Sequence, residues 1–212
     1  NYVFDYLDLL SQIRLLATCR TFRNELDITD MYNIDDKYKG RITQSIIDRY
    51  INLEKLDASN NPELTNVNHL TKLKILNASG VCGINDTGIM HCINLKTLYA
   101  PHNSKIINVN NLVKLEILDA SSCRINDAGI VKCVKLKSLN ASFNLEITNV
   151  NHLAKLEILN VNGFSGICDV GMMHCINLKS LFASNNSEIT NVNHLMKLEK
   201  LDAQYNCGIN GA

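Results

Sequence analysis

Eight cysteines, six histidines and 21 acidic side chains are the groups in this 212-residue chain that could ligate a metal, attack an electrophile or carry protons. Local motifs give them no assistance. There is no C-x-x-C, no H-E-x-x-H, no G-x-S-x-G and no glycine-rich phosphate loop. Their recurrence is more informative. Cys92, Cys133 and Cys175 return at intervals of 41 and 42 residues, and His69, His152 and His194 share the local sequence N-V-N-H-L. Residues that return in this way occupy equivalent places in successive units of one fold, so the units decide how far apart they stand.

The units are marked by leucines. Pairs three apart occur at Leu53 and Leu56, Leu73 and Leu76, Leu95 and Leu98, Leu115 and Leu118, and again at Leu136, Leu156, Leu178 and Leu198 with their partners. The steps between first leucines are 20, 22, 20, 21, 20, 22 and 20, so two kinds of row alternate. Two residues past each second leucine stands Ala or Val, from Ala58 to Ala203. Asn61, Asn103, Asn144, Asn186 and Asn206 follow three residues later, Cys123 once takes that place, and Val81 and Phe164 depart from it. Apolar alternation over L-x-A predicts a short strand with one buried face, which becomes stable only when rows stack. The asparagine column predicts buried amides bonded to neighbouring backbone, since an unpaired one costs about 1–3 kcal/mol. Asp86, Asp127 and Asp169 in the even rows are expected to cap single helical turns.

This pattern resembles the leucine-rich-repeat family, L-x-x-L-x-L-x-x-N/C-x-L, over roughly residues 51–212. The resemblance implies an α/β solenoid with parallel strands on the concave face and turns or short helical turns on the convex face. The even rows, with INDTGI, INDAGI and ICDVGM ahead of Cys92, Cys133 and Cys175, resemble the cysteine-containing repeats of F-box proteins, where a similar I-x-D-x-G-I occurs. The Asn-, Ile- and Lys-rich rows also resemble repeat families of AT-rich genomes, such as giant viruses or protists.

Row spacing then settles the chemistry. Cysteines in every second row lie about 10 Å apart, beyond the roughly 7 Å limit for a disulfide. They read as buried thiols, which favours an intracellular, cytoplasmic location; Cys82, Cys168 and Cys207 lie at less regular corners where a thiol could react, but nothing near them in sequence points to an activated thiolate. The three histidines are separated by about 19 and 10 Å, too far to share a zinc ion. Asp57, Asp119 and Asp202 are about 14 and 19 Å apart, against the roughly 5–9.5 Å of paired glycosidase carboxylates. No enzyme activity, metal or cofactor is expected.

Binding remains. The residue between leucine and alanine projects from the concave sheet, and its column contains Asp57, Tyr99, Asp119, Phe182 and Asp202; His102, Phe143 and Tyr205 lie near the strand ends. Aromatic side chains anchor interfaces, so these eight are the candidate contacts for a target protein.

Residues 41–50, RITQSIIDRY, predict a helix with Ile42, Ile46 and Tyr50 on one face. Tyr50 precedes Leu53 by the same three residues that separate Cys92 from Leu95, so a degenerate row is expected to close the stack. Residues 26–50 are therefore a connector and N-terminal cap, followed by a solenoid of eight rows over 51–212 whose last row ends open. Within residues 1–25, Ser11 can cap a helix carrying Ile13, Leu16, Cys19 and Phe22, preceded by the apolar group Val3, Phe4, Leu7, Leu9 and Leu10. These residues, with C-R-T-F-R at 19–23, resemble an F-box, although the L-P-x-E that usually precedes it is absent. The resemblance implies docking of a Skp-type adaptor, and through it a cullin complex, by Val3, Phe4, Leu7, Leu9, Leu10, Ile13, Leu16 and Phe22.

Composition agrees with a folded interaction protein. Hydrophobic residues make up 46% and charged residues 20%, enough apolar content for a core. Basic and acidic residues balance at 21 each, which excludes a generally phosphate-coating surface and with it a nucleic-acid partner. No apolar run approaches the roughly 18 residues of a membrane span, and no signal peptide is visible, so no membrane partner is expected.

Overall fold

The computed structural model describes Ser11, residues 28–32 and residues 39–209. Each leucine pair directs one three-residue strand: β2 (Lys55–Asp57), β3 (Ile75–Asn77), β4 (Thr97–Tyr99), β5 (Ile117–Asp119), β6 (Ser138–Asn140), β7 (Ile158–Asn160), β8 (Ser180–Phe182) and β9 (Lys200–Asp202). All pair in parallel, in sequence order, with Leu56, Leu76, Leu98, Leu118, Leu139, Leu159, Leu181 and Leu201 in one register column. A ninth strand, β1 (Asp30–Met31), pairs with β2 and places Met31 beside Leu56. Asp30 and Met31 fall in the stretch expected to be a plain connector. With two residues and no leucine pair, β1 lacks the signal that marks the other eight.

The core lies between the sheet and the convex turns. The strand leucines through Leu181 are at most 1% exposed, as are Ala58, Ala78, Ala100, Ala120, Ala141 and Ala183. In the last row Leu201 is 42% exposed, having no row beyond it within the described residues. The short helices are α1 (Gln44–Ile47), α2 (Asp86–Ile89), α3 (Asp127–Ile130) and α4 (Asp169–Met172), one turn each, as rows of 20–22 residues allow. In α1 the residue buried in the core is Ile47, which falls in step with Ile89 and Ile130; Ile46 and Tyr50 are half-buried.

The expected aspartate caps are displaced by one position. Asn85 and Asn126 occupy the N-cap, their side chains accepting from the amides of Gly88 and Gly129, and Cys168 holds the third N-cap without a side-chain bond. The aspartates instead join rows. Asp86 Oδ1 accepts from the amides of Ile107 and Asn108 at 2.8 and 3.1 Å. Asp127 and Asp169 repeat this at Thr148–Asn149 and Thr190–Asn191, each adding a threonine hydroxyl. Gln44 takes the same role in α1, its Oε1 accepting from Thr65 and Asn66 amides at 3.1 Å. Burial would raise the Asp169 carboxyl, but the bonds from Thr190 and Asn191 outweigh it and hold the group below its ordinary value.

The buried asparagines form the expected ladder at alternate rows. Asn103 Nδ2 donates to the carbonyls of Ala78 and Ile84, and Asn144 Nδ2 to Ala120 and Ile125; Asn61 and Asn186 bond the preceding row likewise. Asn206 is exposed and outside the ladder. In its row, and in those where Val81 and Phe164 depart from the pattern, the inward place passes to the next residue: Cys207, Cys82 or Ser165. A glycine follows each of these. Its amide donates to the carbonyl of the previous row's asparagine, and a Cβ on it would come within 2.3–2.5 Å of backbone oxygen. Small residues are required where backbones approach so closely.

Candidate docking surface

The parallel register gathers Asp57, Asn77, Tyr99, Asp119, Asn140, Asn160, Phe182 and Asp202 into one concave column. The carboxylates and amides of this column mostly shape the chain itself. Asp119 Oδ1 accepts from the Ser121 amide at 3.0 Å and its hydroxyl at 2.6 Å, and Asn77 and Asn140 hold Ser79 and Ser142 in the same manner. These are turns in which the side chain replaces a backbone acceptor at the strand exit. Asp57 accepts from the Ser59 amide, is buried, and pairs with Lys39 at 2.8 Å. Asp202 accepts from Ser184 Oγ at 2.8 Å. The acidic candidates are therefore largely engaged inside the solenoid.

Apolar groups are the free chemistry of this face. Two residues before each column member, and so on the same side of the sheet, stand Ile75, Ile117 and Ile158 in alternate rows. Ile117 and Ile158 are 38% and 42% exposed. With the half-buried Tyr99 and Phe182 they make a broken apolar strip, and Lys200 Nζ lies 4.8 Å from the Phe182 ring centre. The isoleucines were not among the expected contacts, which were chosen for aromatic rings and charge in the neighbouring column and at the strand ends.

His102, Phe143 and Tyr205 share a second column at the strand-exit corner. Each is left-handed, with φ of 59°, 54° and 58°. Asn60, Ser122, Asn185, Gly80 and Gly163 complete the same column with positive φ. A bulky side chain in this conformation costs about 1–2 kcal/mol, which the stacked rows impose. Phe143 and Tyr205 are exposed, and the Phe143 ring lies against Gly163, where a Cβ would come within 2.3 Å of its Cε1. Leu145, two residues past Phe143, and Phe164, next to Gly163, are also exposed. Val3, Phe4, Leu7, Leu9, Leu10, Ile13, Leu16 and Phe22, the expected adaptor contacts, lie outside the described residues.

The column chemistry of Cys and His is structural. Cys92, Cys133 and Cys175 are buried, their thiols donating to the carbonyls of Val67, Val109 and Val150 at 3.3, 3.6 and 3.5 Å. Burial pushes Cys92 up to about 12, and Cys82, Cys123, Cys133 and Cys175 up to about 11. His69 and His152 place Nε2 at 3.3 and 3.2 Å from the carbonyls of Ile47 and Ile130. Among the described residues no group of three His, Cys, Asp or Glu is placed to hold a metal, and no helix is long and apolar enough to cross a membrane.

The arrangement has clear structural relatives. Internalin F of Listeria monocytogenes is 25% identical, with a TM-score of 0.61 over 76% of this chain and 51% of its own. Internalin J of Listeria monocytogenes, whose functional domain includes a cysteine ladder, is 19% identical, with a TM-score of 0.59 over 83% of this chain and 44% of its own. The mouse RP105/MD-1 complex gives 17% identity and a TM-score of 0.57 over 75% of this chain and 31% of the matched one. The chain thus spans about half the length of internalin F, or less of the others. These neighbours establish a leucine-rich-repeat solenoid fold. No family model and no curated protein matches the chain.

Proposed function

We propose that this chain is a non-catalytic receptor that holds a target protein on its concave sheet and strand-exit corner. The observation carrying this reading is the apolar strip made by exposed Ile117 and Ile158 with half-buried Tyr99 and Phe182, on a sheet whose polar neighbours are already satisfied within the chain. Such a strip gains from being covered, while the rigid rows spare the entropy of ordering it. The likeness to the RP105/MD-1 complex, a protein-bound relative of the same fold, supports a protein as occupant.

The finer reading is a substrate receptor of a Skp-cullin-F-box type ubiquitin ligase. Residues 1–25 dock the adaptor, and the solenoid raises the effective concentration of target near the ligase. The C-R-T-F-R sequence and the apolar spacing ahead of it support this, and the seven free cysteines among the described residues suit a reducing, cytoplasmic setting. The test is a binding assay with purified Skp-type adaptor. The natural full-length protein is expected to bind. Phe4→Asp with Leu7→Asp is expected to abolish binding while leaving the circular dichroism and melting temperature unchanged. Unfolding of that variant would make these residues part of the solenoid's cap instead, and a full-length protein that fails to bind would end the ligase reading.

A further inference from the structure

The two edges of the solenoid carry different chemistry. At the corner leading into each strand, the positions on either side of the row's first leucine hold nine lysines and four glutamates across eight rows. The whole chain balances 21 basic residues against 21 acidic ones, so this edge concentrates positive charge that the rest of the molecule offsets. Glutamates occupy some of the lysines: Glu54 holds Lys74 at 2.8 Å, Glu116 lies 2.7 Å from Lys137 and 3.6 Å from Lys96, and Glu157 holds Lys179 at 2.8 Å. Lys72, Lys135 and Lys155 are exposed and make no ion pair among the described residues.

Two open depressions lie along this edge. One, of about 340 Å³, is bordered by Glu54, Lys72, Lys74, Lys96 and Lys114. The other, of about 290 Å³, is bordered by Lys137, Lys155, Glu157, Lys179 and Lys197. They are the same site built twice, since Lys72 and Lys155, Lys96 and Lys179, and Lys114 and Lys197 each stand 83 positions apart. The orientation repeats as well: Lys114 Nζ donates to Asn94 Oδ1 and Lys197 Nζ to Asn177 Oδ1, both at 2.6 Å. The Glu–Lys pair is swapped, Glu54–Lys74 becoming Lys137–Glu157, and Thr71 is replaced by Ala154, so each depression keeps four lysines against one glutamate.

We propose that this edge docks an acidic segment of a partner protein, with one carboxylate cluster in each depression. The surface is separate from the concave strip and does not rest on the reading given to it. Four rows separate the two sites, about 19 Å, which an extended peptide spans in about six residues. The interleaved glutamates distinguish a peptide from a nucleic acid. A phosphate backbone brings a charge at every nucleotide and would meet Glu116 between the sites, whereas a peptide can place neutral residues there.

Fluorescence anisotropy with the full chain tests this. The probe is a labelled peptide bearing two Glu-Glu-Asp clusters with centres six residues apart. It is expected to bind, more weakly as salt rises, and Lys72→Glu with Lys155→Glu should reduce affinity at least tenfold. Lys72→Gln with Lys155→Gln should act in the same direction but less. Lys105→Glu with Arg124→Glu, an equal charge change at the strand-exit corner, should leave affinity within about twofold. Failure of the peptide to bind, equal losses in the two charge-reversed pairs, or tighter binding of an oligothymidylate of matched charge would each overturn the proposal.

Discussion

Replacing Asn144 by alanine is expected to destabilise the solenoid by about 3–5 kcal/mol, more than any surface change described above. The amide donates to the carbonyls of Ala120 and Ile125 and accepts from the amides of Glu146 and Ile147, at 2.9–3.2 Å, all without exposure to solvent at the side chain. Alanine removes four partners at once and leaves a void that the preceding row cannot collapse into. The position in the stack matters too. Rows contact only their neighbours, so a break at the fifth leucine row separates two halves that each retain several intact interfaces. Urea unfolding followed by circular dichroism should therefore show a lower first midpoint and a broadened or split transition. Asn186→Ala removes the equivalent bonds two rows later, to Val161 and Ile167, and should loosen the C-terminal rows while the remainder unfolds as before. Equal, single transitions in the two variants would show that the ladder does not couple the rows.

Alkali should unfold the protein through its buried thiols. Five cysteines have folded values of about 11 or 12 against an ordinary thiol value of 9.0. Above pH 9 the unfolded chain releases these protons while the folded one retains them, so the unfolded state binds fewer protons and stability declines as pH rises. The contribution is complete below pH 9 and disappears as pH passes through 11 to 12. Each thiol adds a slope of up to about 1.4 kcal/mol per pH unit in that window. The five act in the same direction, so the folded state is opposed increasingly as pH rises above 9. Stability measured from pH 8 to 11 should fall steeply, and in Cys92→Ala, Cys133→Ala, Cys175→Ala combined the slope should shrink by about three-fifths, whatever that variant's stability at neutral pH. An unchanged slope would assign alkaline unfolding to lysine and tyrosine. At pH 7.5 the same five thiols should resist iodoacetamide until denaturant is added.

The rows were legible because leucine spacing carries both the strand and its register. Once Leu56, Leu76 and Leu98 are aligned, the columns on both faces follow, including the pairing of Asp57 with Asn77 and of Asn77 with Tyr99. What escaped notice depends on single-residue offsets. Asn85 and Asp86 are both good cap residues, and only the fold shows that the asparagine caps while the aspartate reaches the next row. A glycine after Cys82, Ser165 and Cys207 moves the inward position by one, so Asn206 matches the sequence pattern yet faces outward. Along the chain the lysines beside the first leucines are interspersed with Glu54, Glu116, Glu157 and Glu199, so no single stretch is strongly basic. Their segregation appears only when rows 83 residues apart are seen to build the same depression. Strand alternation places Ile117 and Ile158 on the concave side, but how far they stay uncovered there, 38% and 42%, shows only in the fold.

The receptor reading has a direct test in amide hydrogen exchange on the natural full-length protein, alone and with purified Skp-type adaptor. Protection on adding the adaptor should be confined to residues 1–25, with the amides of β2 to β9 exchanging as in the free protein. Protection spread over the strands instead, or none at all with adaptor in excess, would contradict a division of labour between an N-terminal adaptor segment and a solenoid left open for its target.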